Sequence, residues 1–97
     1  MKVVFLVSSE NKNKAETALK GDDEISRGSI TIREAKSLGF EENGIFFILD
    51  APETAVKKAE ELLKGLGKKY KKASAVIKKV EEQENTAIEG FGNILGG

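Results

Sequence analysis

Lysine and carboxylate are the only strongly ionisable side chains this chain has in number, because the sequence holds no histidine and no cysteine. Without imidazole there is no Ser–His–Asp triad and no imidazole metal ligand. Without thiol there is no disulfide framework, zinc–thiolate site or iron–sulfur cluster. Lysines and acids can still move protons, but no pair of them is marked out by spacing. The expected protein is therefore not an enzyme and carries no cofactor.

The lysines are not spread evenly. From Leu62 to Val80 there are seven and no acid: Lys64, Lys68, Lys69, Lys71, Lys72, Lys78 and Lys79. Within that run, Leu63-Lys64-Gly65-Leu66-Gly67-Lys68-Lys69 puts a glycine–hydrophobic–glycine turn before basic residues. This stretch resembles the hairpin of the helix-hairpin-helix DNA-binding motif, over about Ala59 to Ile77. The resemblance implies a phosphate held by backbone N–H groups at a helix N-terminus, with lysines adding sequence-independent affinity. Its nucleic-acid residues would be Gly65, Gly67, Lys68, Lys69, Lys71 and Lys72. The plainer reading of the same residues is a glycine helix cap followed by a solvated lysine face, and it takes precedence. Tyr70 is the sole aromatic among these lysines, which argues against single-strand binding.

Asp22-Asp23-Glu24 is the densest acidic triplet that could bind a divalent cation, with Glu41, Glu42 or Asp50 as helpers. The EF-hand spacing is absent, so a solvated acidic turn is favoured over a metal site. Ser8, Ser9, Asn11 and Lys12 sit where a strand meets a helix, a place that can cradle an anion; helix capping by Ser8 or Ser9 is the simpler role. Gly90, Gly92 and Gly96 miss the dinucleotide fingerprint in spacing and lack a following βαβ unit. Gly96-Gly97 resembles the ending of ubiquitin-like and sulfur-carrier proteins, but those folds need a hairpin before the helix. Ile88, Phe91, Ile94 and Leu95 form an apolar stripe that either packs on the chain's own sheet or docks on a partner or second copy.

The elements that must position these residues follow from periodicity. Val3–Val7 and Ile45–Leu49 are continuous apolar runs, the pattern of strands buried on both faces. Ser29–Arg33 alternates, with Ile30 and Ile32 on one face, the pattern of a half-buried strand. A helix is expected from Asn11 to Lys20, buried through Ala15, Ala18 and Leu19, and closed by Gly21. One helical turn is expected over Glu34–Leu38, ending at Gly39. A further helix should start at Asp50-Ala51-Pro52-Glu53, with Asp50 as cap, and bury Ala55, Val56, Ala59, Leu62, Leu63 and Leu66. From Tyr70 the apolar spacing is helical, predicting a helix over Lys69–Glu84 and a glycine-broken helical tail over Thr86–Leu95. The fold class is then α+β, a three-stranded sheet covered by helices with a helical C-terminal segment. In the rival reading Ala73–Val80 is a fourth strand and the order is βαββαβ, the ferredoxin-like arrangement.

A chain of 97 residues with 39 % hydrophobic residues makes one domain, residues 1–97, with 83–97 as an appended tail. Sixteen basic and 16 acidic residues cancel, so nothing global draws the chain to nucleic acid or to a membrane. Charged residues reach 33 % with a single glutamine and no cysteine, a balance that leans toward a thermophile. Val3–Val7 is too short for a signal core, so the cytoplasm is the expected compartment. The leading expectation is a binding or assembly module acting through a protein partner or homo-oligomer; nucleic-acid binding is the alternative.

Overall fold

The structure, a computed structural model, describes the backbone of residues 1–96 and the side chains of residues 1–84. Four strands form one antiparallel sheet: β1 (Lys2–Val7), β2 (Ser29–Glu34), β3 (Ile45–Asp50) and β4 (Gly67–Lys69), in the order β2-β3-β1-β4. Four α-helices accompany them: α1 (Lys12–Lys20), α2 (Asp23–Ser26), α3 (Glu53–Leu62) and α4 (Ala73–Gly96). Counting α1–α2 as one crossover, the chain runs βαββαβ, and two interleaved βαβ units give the ferredoxin-like arrangement.

The two continuous apolar runs are the two central strands, as their composition requires. In β1, Val3, Phe5 and Val7 point to one face and Val4 and Leu6 to the other. In β3, Ile45, Phe47 and Leu49 share the first face, and Phe46 and Ile48 the second. Their register sets Val3 opposite Leu49 and Phe5 opposite Phe47. The alternating segment β2 is an edge strand, with Ile30 and Ile32 turned to the first face.

Helices α1, α2 and α3 cover that first face with Ala15, Leu19, Ile25, Ala55, Val56 and Ala59, all buried. Helix α4 crosses the second face, where Val76 and Val80 pack with Val4, Phe46, Ile48, Ala35 and Leu38. Polar contacts along its rim hold it: Lys2 to Glu81 at 3.6 Å, Arg33 to Glu84 at 3.9 Å, and Gln83 Nε2 donating to the Ser37 carbonyl at 3.1 Å. Both faces of the sheet are thereby covered.

The fourth strand exists, but it is Gly67–Lys69; Ala73–Val80 is the opening of α4 and not a strand. Three residues with little intrinsic strand preference pair there because β1 offers a free edge, with Val7 opposite Gly67 and Phe5 opposite Lys69. This strand also displaces the start of the last helix from Lys69 to Ala73, and that helix runs to Gly96 without the expected break. Helix α3 stops at Leu62, so Leu63 and Leu66 pack from the following turn. Pro52 is its N-cap, whereas Asp50 faces the N-terminal ammonium at 3.6 Å. Ser8 precedes a 3-10 turn over Ser9–Asn11 and makes no side-chain capping bond. Among the described residues, no helix is long and apolar enough to cross a membrane.

Candidate functional site

The glycine turn is a helix-to-strand connection and does not join two helices. Helix α3 unwinds at Leu63, and the carbonyl of Leu63 accepts from the amides of Leu66 at 2.9 Å and Gly67 at 3.0 Å. Gly65 has φ +80°, the left-handed region that glycine enters without a steric penalty. Gly67 then lies against β1 so closely that a Cβ there would stand 2.7 Å from the Leu6 carbonyl oxygen. The amides of Leu66 and Gly67 are therefore spent on the helix end and cannot face a phosphate as the hairpin resemblance implies. The C-cap of α3 is Leu63 and not a glycine; Gly65 is the left-handed corner of the turn that follows, and a strand comes after it.

The lysines part company at β4. Lys69 lies on the α3 side, its ammonium 3.2 Å from Glu60. Lys68 shares the face of Leu6, its partner in register. Lys71 and Lys72 follow in the strap that leads into α4. Lys68, Lys69, Lys71 and Lys72 line one groove of about 390 Å³ with Leu6, Tyr70 and Glu42. Among the described residues, no carboxylate stands within ion-pair distance of Lys68, Lys71 or Lys72.

Tyr70 stands among other aromatic rings. Its centroid is 4.8 Å from that of Phe46, tilted at 52°, and 6.2 Å from that of Phe40, edge-on at 80°. Its amide donates to the Val4 carbonyl at 2.8 Å, fixing the backbone beneath the ring. Burial, and secondarily the Glu42 carboxylate beside the hydroxyl, push the phenol above its ordinary pKa. Sequence reading missed this cluster because its members lie far apart along the chain.

The outer edge of β2 is the other exposed feature. The Ala35 amide donates to the Gly44 carbonyl at 3.0 Å, continuing the β2–β3 ladder. Counting back in twos, Arg33, Thr31 and Ser29 turn their backbone groups to β3, and Ile30, Ile32 and Glu34 turn theirs outward. β2 is the last strand in the sheet order on that side. It is six residues long and holds no proline or lysine, and its charges are confined to Arg33 and Glu34 at one end. The opposite edge, β4, is three residues long and carries two lysines. The alternation of Ser29–Arg33 predicts a half-buried strand; its place at the edge comes from the sheet order.

The acidic triplet is a helix start. Asp22 caps α2, its Oδ1 accepting from the amides of Glu24 at 2.9 Å and Ile25 at 3.1 Å. Asp23 and Glu24 occupy the first turn of that helix. The Lys58 ammonium sits 3.7 Å from Asp22 and 3.2 Å from Glu24, and these acids raise the Lys58 pKa, the Glu24 hydrogen bond most. Among the described residues, no three carboxylates are grouped to hold a metal ion.

An open cleft of about 930 Å³ lies between Met1, Arg27–Ser29 and the start of α3. Its Asp50 is paired with the N-terminal ammonium, and Glu24 and Arg27 are exposed on its rim. The partner-docking stripe of Ile88, Phe91, Ile94 and Leu95 lies outside the residues whose side chains are described. Comparison with models of protein families, with curated proteins and with solved structures finds no match to this chain.

Proposed function

We propose that this chain is a non-catalytic assembly module that pairs with a second copy through the outer edge of β2. The observation that carries this reading is the row of outward-facing amides of Ile30, Ile32 and Glu34 on a six-residue edge strand; of the carbonyls beside them, that of Ile30 is open, that of Ile32 accepts from Arg33 Nη1 at 2.9 Å and that of Glu34 from Ser37 Oγ at 2.7 Å. Adding a strand satisfies such groups by main-chain hydrogen bonds and needs no pre-existing pocket. A two-fold antiparallel pairing sets Ile32 against its own copy, Ile30 against Glu34, and Thr31 against Arg33. The lack of imidazole and thiol supports a holding role over a transforming one.

Sedimentation velocity across a wide range of concentration tests the reading. The wild type is expected to form a dimer. Thr31→Arg sets an arginine opposite the second copy's Arg33, at a half-buried position beside Ile77 and Val80, and is expected to shift the chain to monomer with its far-ultraviolet circular dichroism unchanged. Thr31→Glu sets an acid opposite the same arginine and is expected to keep the dimer. A wild type that stays monomeric throughout removes the proposal, as does a Thr31→Arg variant that dimerises unchanged.

A further inference from the structure

We propose that the groove framed by Lys68, Lys71 and Lys72 binds single-stranded nucleic acid, with one base against Tyr70 and Leu6 and the backbone phosphates on the three lysines. The proposal is independent of pairing through β2, which lies at the opposite edge of the sheet.

Two kinds of surface meet in this groove. Leu6 and Tyr70 line it together with lysines, whose side chains each join an apolar stem to a charged head. Tyr70 is a fixed platform, since Phe46 and Phe40 pack against its ring and its own amide is bonded to β1. Base–aromatic stacking combined with a basic rim is how strands are bound without sequence readout. The three lysines have no acid of their own to satisfy among the described residues, whereas Lys69, one residue away, is drawn off to Glu60. The first turn of α4 contains no acid either, so the positive end of that helix adds to the same field.

Other occupants fit less well. A duplex keeps its bases stacked inside and could use the lysines but not the groove. A membrane surface needs apolar side chains to insert, and the large exposed ones among the described residues are Met1 and Leu62, neither of which lines the groove. Glu42, the sole carboxylate in the lining, would repel a phosphate but can accept from the exocyclic amine of cytosine. That places the base, rather than the phosphate, at the Tyr70 end.

Fluorescence anisotropy with a short labelled oligo-dC tests this. Binding is expected to weaken with salt at a log–log slope of about −2, the value for three phosphates on a single strand. The triple variant Lys68→Glu/Lys71→Glu/Lys72→Glu is expected to lose binding, whereas Lys14→Glu on α1 is expected to keep it. Tyr70→Phe should bind like wild type, and Tyr70→Ser about tenfold more weakly. Because Tyr70 is the only tyrosine and there is no tryptophan, ultraviolet emission of the wild type reports the groove without any substitution. Quenching on addition of oligo-dC is expected, measured against free tyrosine amide as the inner-filter control. Unchanged emission, or a duplex of the same length bound as tightly as the strand, overturns the proposal.

Discussion

The turn between α3 and β4 carries two glycines that the structure uses for different reasons, and replacing each by alanine should separate them. At Gly65 a Cβ would meet nothing within 4 Å, so Gly65→Ala costs only the backbone penalty of holding φ near +80°, about 1 kcal/mol. At Gly67 a Cβ would lie 2.7 Å from the Leu6 carbonyl oxygen, 2.7 Å from Val7 Cγ2 and 3.2 Å from Val7 Cα. Two of those atoms belong to the backbone of a central strand and cannot swing aside. Gly67→Ala must therefore push β4 off β1 or strain the pair, at about 2–3 kcal/mol. For a domain of this size each kcal/mol moves the Tm by about 4–8 °C, so the expected losses are about 5 °C and about 15 °C. Urea unfolding followed by far-ultraviolet circular dichroism gives the free energies, with an unchanged m-value as the check on the unfolded state. A helix-hairpin-helix turn would instead lose phosphate contacts on either substitution. A Gly67→Ala variant no less stable than Gly65→Ala would refute the β1–β4 contact and the account of the turn built on it.

Two other outcomes follow from the packing and the charges. Val76 is fully buried where α4 meets the sheet, so Val76→Ala should cost about 2 kcal/mol in the same urea experiment, while Ser74→Ala on the exposed side should stay within about 0.5 kcal/mol. Tyr70 and Lys58 both hold their protons more tightly in the folded chain, the first mainly through burial and the second mainly through its hydrogen bond to Glu24. A raised folded pKa means stability that is complete below the unfolded value and lost as pH climbs through the folded one. Urea midpoints should therefore be flat up to about pH 9 and fall above about pH 10, and Tyr70→Phe should remove part of that fall.

Much of the architecture can be read from side-chain periodicity. The uninterrupted apolar runs at Val3–Val7 and Ile45–Leu49 belong to strands covered on both faces, and the alternating Ser29–Arg33 to a half-buried one, which the sheet order places at the edge. What periodicity could not reveal is β4. Gly67-Lys68-Lys69 has no strand character of its own and is extended only because Val7 and Phe5 stand beside it. Missing it led to an extra strand sought within Ala73–Val80, whose spacing is helical. The caps were misassigned for a related reason. Asp50 lies two residues before the N-cap of α3, Pro52, and faces an ammonium that is distant in sequence, while Asp22, conspicuous in the sequence only as part of an acidic triplet, caps α2. The lysines of the groove were visible as a run. That Lys69 leaves them, and that Phe40 and Phe46 come to stand behind Tyr70, depends on pairings across the sheet.

The order β2-β3-β1-β4 also bears on how the chain comes off the ribosome. The first of these four strands to be made ends up with a neighbour on each side, and both neighbours are made long after it. Val3–Val7 must wait as a sticky apolar ribbon through the synthesis of some forty residues before β3 can dock, and longer still before β4 closes the other flank. The β2–β3 hairpin, by contrast, needs only local closure and can nucleate early. Nascent chains halted between Gly21 and Gly44 should be the ones most dependent on a chaperone's shelter.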